Sequence, residues 1–162
     1  MEATAQINLA VKMILTAWDT QNKYLTDLTN NLTDEQLMKE ITPGRNTGIY
    51  LLGHLIAVSD SMLPLLGFGD RLFPELEEVF IKNPDKSGLG MPTVAELKEK
   101  LQAVNAKLSA HFQSSSAEEW FNKHTAVSEE DFAKQPHRNK LNVIISRTNH
   151  LANHIGQILL LK

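Results

Sequence analysis

The sequence predicts an all-α protein, a four-helix bundle with short extra helices in long connections. Apolar residues recur every three or four positions in four long segments, which is the period of a helix with one buried face. Three capping boxes mark helix starts, TDEQ at 33–36, TVAE at 93–96 and SAEE at 116–119. No segment alternates convincingly like a strand. A chain of 162 residues is the length of one domain, so we expect a single domain over 1–162.

The first half of the chain holds two long predicted helices. The first spans about residues 4–30, and its apolar stripe is Ile7, Val11, Ile14, Trp18, Leu25, Leu28 and Leu32. The box at 33–36 then opens a short helix that stops before Pro43. The second long helix begins with Asn46 or Thr47 as its cap and runs to about Leu66, where GFGD ends it.

A long connection rich in glycine and proline follows at 67–92, with at most a short helix at 75–81. The third long helix starts at the box at 93–96, and its stripe is Val94, Leu97, Leu101, Val104, Leu108 and Phe112. Long connections in a compact bundle are usually functional, so we expect this one to cover one end of the bundle.

The last part of the chain contains a short helix and a final long one. The short helix starts at the box at 116–119 and continues through Trp120. Residues 124–138 are polar and irregular, with SEED at 128–131 as a single turn. The last helix runs from about residue 140 to 161, with Asn139 as its cap.

The composition excludes several classes of protein. Without cysteine, the chain has no disulfide, zinc–thiolate site or cysteine nucleophile, so any thiol must come from outside. The net charge of -3 and the lack of a basic cluster argue against a nucleic-acid partner. No apolar run approaches the roughly 20 residues of a membrane span, and the N-terminus does not resemble a signal peptide. We therefore expect a cytoplasmic protein with no membrane partner.

The histidines are the candidate site. His150 and His154 lie one turn apart on the last helix, at the margin of its apolar face, and His54 has the same position on the second long helix. Imidazoles at i and i+4, about 5–6 Å apart at Cβ, can share one metal ion. A third histidine from a facing helix completes a three-nitrogen set with open positions for water or substrate. The alternative is that they are polar groups at the edge of the core.

The other histidines are expected to have structural or solvated positions. His111 lies on the stripe of the third long helix, where we expect it to cap or pack. His124 and His137 lie in polar segments and are expected to be solvated. A strip of small residues runs beside His54 and permits close approach of a backbone or ligand; it consists of Gly53, Ala57 and Ser61.

Two stretches, GIYLLGHLIAVSDSML and the closing NHLANHIGQILLL, resemble the DinB superfamily. The resemblance covers nearly the whole chain in element order and length. It implies an up-down-down-up bundle that holds a divalent metal, commonly zinc or nickel, on His54, His150 and His154. The Gly-Gln that follows the family's last histidine is matched by Gly156-Gln157. The superfamily includes bacillithiol- and mycothiol-dependent transferases.

Two reaction classes follow from such a centre. A divalent ion on three neutral imidazoles is a Lewis acid that activates water for hydrolysis or binds a low-molecular-weight thiol as its thiolate. We expect thiol transfer to a small-molecule substrate, because the resemblance includes thiol-dependent transferases and no carboxylate base lies beside the histidines. A metal-dependent hydrolase and a non-catalytic metal- or ligand-binding bundle are the alternatives.

Polar residues near the histidines are candidates for substrate binding. Gln157 and Asn153 are expected to hydrogen-bond a ligand or a group behind it. Arg147 is expected to receive an anionic group, with a structural salt bridge as the alternative. Arg45 and Asn46, before the second long helix, are further candidates for the mouth of the site.

A homodimer is also expected. Leu160 lies outside the apolar arc of the last helix, and ILLL near the chain end is a plausible surface for self-association.

Overall fold

The computed structural model describes residues 3–162, and the regular secondary structure of this part of the chain is helical. Its α-helices are α1 (Ala3–Asn31), α2 (Asp34–Leu37), α3 (Gly48–Asp60), α4 (Met62–Leu66), α5 (Val94–Ser114), α6 (Glu129–Lys134) and α7 (Lys140–Ile158). A π turn (Glu78–Lys82) and two 3-10 turns (Glu118–Phe121 and Leu159–Leu161) complete the helical segments. Across residues 3–162, β pairing is limited to isolated bridges, which join Glu40 to Thr47 and Lys123 to Asn139. The predicted all-α class is confirmed.

The helix starts follow the predicted caps. Thr33 and Thr93 each accept a hydrogen bond from a backbone N–H three residues on, and the side chain at that position bonds back to the cap. The box at 116–119 has both of its bonds, but only a 3-10 turn follows. Thr47, rather than Asn46, caps α3. The segment predicted as a single turn at 128–131 continues as the six residues of α6.

The predicted second long helix is two helices. It was expected to run unbroken to about Leu66, but α3 ends at Asp60 and α4 begins at Met62. Proline has no N–H and its ring clashes with the carbonyl four residues earlier. For Pro64 that carbonyl belongs to Asp60, where α3 ends. Gly67, at φ 77°, then ends α4 in the left-handed conformation.

Helix α3 lies at the centre of the packing. It packs against α5, α7 and the π turn, and α1 packs against α7 and α5. Every residue from Gly48 to Asp60 is buried except His54, which is half-buried. The core therefore surrounds α3, and His54 marks the one place where α3 faces a partly open space.

The expectation that no apolar run approaches the length of a membrane span was wrong for one stretch. Gly48–Leu66 is 19 residues long with a mean hydropathy of 1.6, so by length and composition it is long and apolar enough to cross a membrane. Inside the folded protein 78% of this stretch is buried, which is also the property of a core helix.

The connection between α4 and α5, residues 67–93, runs back along α3. Near its start, the buried carboxylate of Asp60 accepts the backbone N–H groups of Leu72 (2.8 Å) and Phe73 (2.9 Å). Further along, the Tyr50 hydroxyl donates to the carbonyl of Asn83 at 2.7 Å. The buried side chains of Leu76 and Phe80 lie between these two anchors. The connection is therefore fixed along the length of α3.

Asp60→Ala should lower the free energy of unfolding by about 2–4 kcal/mol, because it leaves two backbone donors without their charged acceptor. Urea denaturation measures the loss. Asp27→Ala is the matched control, since Asp27 is an exposed surface partner of Lys23 and such pairs contribute about 0–1 kcal/mol. Equal losses in the two variants would contradict the anchoring role of Asp60.

Two further expectations stay predictions. Leu160, on which the homodimer prediction rests, is 61% exposed, in agreement with its position outside the apolar arc. The second expectation that stays a prediction is that residues 1–162 form a single domain.

Candidate metal centre

Three imidazoles from two helices meet at one point. His150 Nε2 lies 3.2 Å from His54 Nε2 and 3.1 Å from His154 Nε2. One ligand nitrogen from each ring lies within 4.8 Å of the other two. The i,i+4 spacing on α7 places two of the rings edge to face, with 4.6 Å between centroids, and the packing of α3 against α7 brings in the third. The structure thus brings together the three predicted histidines.

The far nitrogens of two rings are bound to oxygen acceptors. His54 Nδ1 lies 2.8 Å from the carbonyl of Phe80, and His154 Nδ1 lies 2.7 Å from Oε1 of Gln157. Because neither oxygen carries a proton, each Nδ1 is the donor, and the Nε2 of the same ring presents a lone pair. The lone pairs of His54 and His154 therefore both point at His150 Nε2, which can donate one proton at most.

A divalent ion fits this arrangement better than a hydrogen bond does. Nitrogen ligands at about 2.0–2.1 Å from a tetrahedral ion lie roughly 3.3 Å from one another, close to the Nε2 separations found here. Tying the second ring nitrogen to a carbonyl or amide oxygen is also the usual way in which proteins orient metal-binding histidines. The three histidines could therefore hold a metal ion.

The surroundings keep two of the imidazoles neutral. The pKa of His150 is lowered to about 4, chiefly by burial and then by the charges of His154, His54 and Arg147. Burial also lowers the pKa of His54, against the opposing effect of its hydrogen bond to the Phe80 carbonyl. Neutral imidazole is the form that binds metal, so these two groups are ready to bind at neutral pH.

The comparison with known families decides the relationship. A sequence model of the DinB superfamily matches residues 17–158, which include all three histidines. The chain belongs to the DinB superfamily. The comparison with curated proteins finds no match. A crystal structure of a conserved protein from Enterococcus faecalis is similar to this DinB chain, with a TM-score of 0.61 and 16% identity over 98% of this chain and 94% of that one. That likeness shows the fold.

In this DinB protein, the small residue beside His54 lets an aromatic ring approach. A Cβ placed on Gly53 would lie 2.3 Å from ring atoms of Phe80, so only glycine leaves room for that ring. The group that approaches Gly53 closely is thus the Phe80 side chain of the π turn.

The Tyr50 ring lies parallel to the His54 ring on α3, with 6.5 Å between centroids. The role of Phe80 had no residue pattern to indicate it, because Phe80 contributes a backbone carbonyl.

The predicted substrate-binding residues take different positions in the DinB site. Gln157 faces inward and contacts His154. Arg147 lies one turn before His150, with its Nε buried and without a hydrogen-bond partner among residues 3–162. The salt bridge considered for it is not formed with any acid in that range. Asn153 is exposed, and its side chain bonds to no described residue.

Arg45 and Asn46 lie away from the three histidines. Both are exposed and precede α3. His54 is eight or nine residues further on, which corresponds to roughly 12–13 Å along a helix axis. A role for them at the mouth of the site stays a prediction.

The remaining histidines of the DinB chain lie outside the cluster. His111 packs on Phe68, with parallel rings 4.5 Å apart, as predicted. His137 is exposed. The prediction that His124 is solvated holds only in part, because the side chain is half-buried and its Nδ1 is buried without a hydrogen-bond partner in residues 3–162. The segment that contains His124 folds back over α4, where the N–H of Thr125 donates to the carbonyl of Leu65. His124 therefore lies beside Leu65, and both line one cavity.

The metal-free DinB protein should lose stability as the pH falls from about 6.5 to 4. His150 has a pKa of about 4 in the folded state and about 6.5 when unfolded, so the unfolded chain takes up the proton first. Stability from this group is complete above pH 6.5 and is lost on acidification. Because the side chain is half-buried, we expect about 1–2 kcal/mol.

Urea denaturation of wild type and His150→Gln at pH 7.5 and 4.5 isolates this contribution from that of the carboxylates. The drop in unfolding free energy between the two pH values should be smaller in His150→Gln. The same drop in both proteins would contradict the assignment.

Proposed function

We propose that the chain is a metal-dependent enzyme in which His54, His150 and His154 hold a divalent ion, zinc or nickel, and which activates a small-molecule thiol for transfer to an electrophile. The observation that carries this is the convergence of three Nε2 atoms, two of which belong to rings oriented by hydrogen bonds, that of His54 by the Phe80 carbonyl and that of His154 by the Gln157 amide oxygen. A divalent ion held there supplies Lewis acidity, which lowers the pKa of a bound thiol or water.

The chemistry around the histidines favours thiol transfer over hydrolysis. Among residues 3–162, no Asp or Glu joins the three-histidine cluster, and no carboxylate bonds to its rings. A nucleophile derived from water usually benefits from such a base. A thiol near a divalent ion does not require one, because the positive charge itself favours the thiolate. The hydrolase and the non-catalytic binder are the alternatives that the assay below separates.

The scaffold that we propose is a four-helix bundle of α1, α3, α5 and α7 with up-down-down-up directions. In its support, the Phe68 ring after α4 meets Phe112 near the end of α5, with 6.2 Å between centroids, which fits α3 and α5 running the same way. The Gln36 side chain, before α3, donates to the carbonyl of Leu161, after α7, which fits opposite directions. The end of α1 lies beside Lys162, which fits α1 running with α7.

The assay supplies metal-free protein reconstituted with zinc, nickel or cobalt, a chromogenic aryl halide and a panel of small thiols. In the expected reaction the thiolate sulfur forms a bond to the aryl carbon and the halide leaves. Thiol-dependent, saturable turnover should be lost in His54→Ala and kept in His111→Ala. Ester or amide cleavage without thiol, lost in His54→Ala, would establish the hydrolase instead. Metal binding without either turnover would establish the non-catalytic alternative.

Gln157→Leu should weaken metal binding by about 10–100-fold, because it removes the acceptor that orients His154 and fixes its protonated nitrogen. Titration against a chromophoric chelator measures the change. Gln102→Leu, at an exposed position of α5, is the matched control and should bind metal like wild type. Unchanged affinity in Gln157→Leu would show that this contact does not support a metal ligand.

A further inference from the structure

A cavity continues the histidine face of α7 towards its N-terminus. Its volume is about 290 Å³, and it is bordered by α4, α7 and the segment before α7. The lining residues are Leu65, His124, Arg138, Asn142, Val143, Ser146 and Arg147. Val143 and Arg147 precede His150 by seven and three residues, so helical spacing places them on the same face as the histidines. The cavity therefore begins roughly 5–10 Å along the axis from the metal centre.

Arg147 brings an unpaired positive charge into this cavity. Its Nε is buried and has no hydrogen-bond partner among residues 3–162. Within the same range, no carboxylate lies within 4.0 Å of Arg147 or Arg138. Burial lowers the pKa of Arg147, yet a guanidinium stays protonated in proteins. Partial burial of such a charge without a partner is costly, and a bound anion would offset that cost.

The rest of the lining adds polar groups and no Asp or Glu. His124 has a buried Nδ1 without a partner among the described residues, and its pKa is lowered by burial, then by Arg138 and Lys123. Asn142 and Ser146 supply an amide and a hydroxyl from α7. A lining that combines two guanidinium groups with neutral polar groups and no acid is suited to the oxyanion of a carboxylate or phosphate.

We propose that this cavity, the arginine pocket of Arg138, Arg147 and His124, binds an oxyanion on the thiol substrate. This inference rests on the proposed function and adds the substrate class. The thiol carries a carboxylate or phosphate, and the anionic group lies roughly 5–10 Å from the sulfur, so that both ends are held at once. Arg147 fixes the tail, which positions the sulfur at the three histidines.

The first experiment tests the pocket without metal. Inorganic phosphate, and separately acetate, are titrated into metal-free protein while the Nε–H signal of Arg147 is followed by ¹⁵N NMR. A saturable shift is expected, and Arg138→Gln should weaken binding about tenfold, as expected for loss of a charge-assisted hydrogen bond. Lys39→Gln removes one exposed charge elsewhere and should change nothing. A shift that does not saturate with either anion would overturn the pocket.

The second experiment tests the connection to the metal centre. Cobalt-loaded protein is titrated with 6-mercaptohexanoate, 6-mercaptohexyl phosphate and uncharged 6-mercaptohexanol, and thiol binding is read from the cobalt absorption spectrum. At least one anionic thiol should bind about tenfold more tightly than the alcohol, and Arg147→Gln should remove that advantage. The preferred anion distinguishes carboxylate from phosphate. Equal affinities in wild type would overturn the inference.

The two experiments distinguish a failure of the proposed thiol transfer from a failure of the arginine pocket. If none of the three thiols changes the cobalt spectrum, thiol transfer at this centre is wrong, and with it the thiol as the ligand of the pocket. The phosphate and acetate titrations still decide whether the pocket binds an oxyanion, because they need neither metal nor thiol.

Discussion

His54→Ala, His150→Ala and His154→Ala should each bind zinc or nickel at least about a hundredfold more weakly than the wild-type protein. Each substitution removes one of three converging nitrogens, and a site that supplies roughly 10 kcal/mol or more through a few ligands loses several kcal/mol with each. Competition with a chromophoric chelator measures the affinities. The three losses should be similar, because the three nitrogens face one ion.

The matched control for these variants is His111→Ala. His111 stacks on Phe68 outside the cluster, so its loss should leave metal affinity unchanged. Metal should raise the melting temperature of wild type and His111→Ala, because an ion that binds only the folded state stabilises it by mass action. The other three variants should show little of this rise. Equal metal content in wild type and His150→Ala would rule out the three-histidine centre.

Gly53→Ala should destabilise the protein by about 2–4 kcal/mol and weaken metal binding at the same time. The added Cβ would lie 2.3 Å from the Phe80 ring, which is fully buried and has no free space to enter. The π turn must therefore shift. A shift of Phe80 also moves the carbonyl that accepts from His54 Nδ1, so one methyl group should affect both folding and the centre.

Gly156→Ala is the internal comparison for this prediction. Gly156 also lies inside a helix, but a Cβ there would meet no atom within 4 Å. Alanine is favoured over glycine in a helix by about 1 kcal/mol, so this variant should be as stable as wild type or more so. Denaturant melts and chelator titrations on both variants give the result. A Gly53→Ala protein with wild-type stability and metal affinity would contradict the packing described here.

Much of the helical framework could be predicted from local chemistry. The boxes at Thr33 and Thr93 satisfy backbone donors within a few residues, so the starts of α2 and α5 are fixed by short-range contacts. The break after Asp60 also has a local cause in Pro64, but the apolar period continues through it and concealed it. The apolar period indicates which residues are buried, but it does not reveal that Pro64 lacks a backbone N–H.

The candidate site also has a part that the sequence predicts and a part that it does not. The i,i+4 pair on α7 and a single histidine on a facing helix are visible in the sequence, and the fold brings them together. The role of the Phe80 carbonyl and the buried Nδ1 of His124 were not predictable, because both arise from connections that fold back over α3 and α4. Backbone acceptors carry no residue signature, and the path of a long connection depends on tertiary contacts.

If the three histidines hold the proposed ion, the contact between His54 and the π turn couples ion binding to the order of the α4–α5 connection. Nε2 of His54 faces the other two histidines, and Nδ1 donates to the Phe80 carbonyl. If packing of the π turn against α3 increases the affinity for the ion, the bound ion stabilises that packing by the same free energy. Removal of the ion should therefore loosen the segment that carries Leu76 and Phe80, two of the most deeply buried side chains. Access of solvent and proteases to this part of the core becomes a function of the free metal concentration.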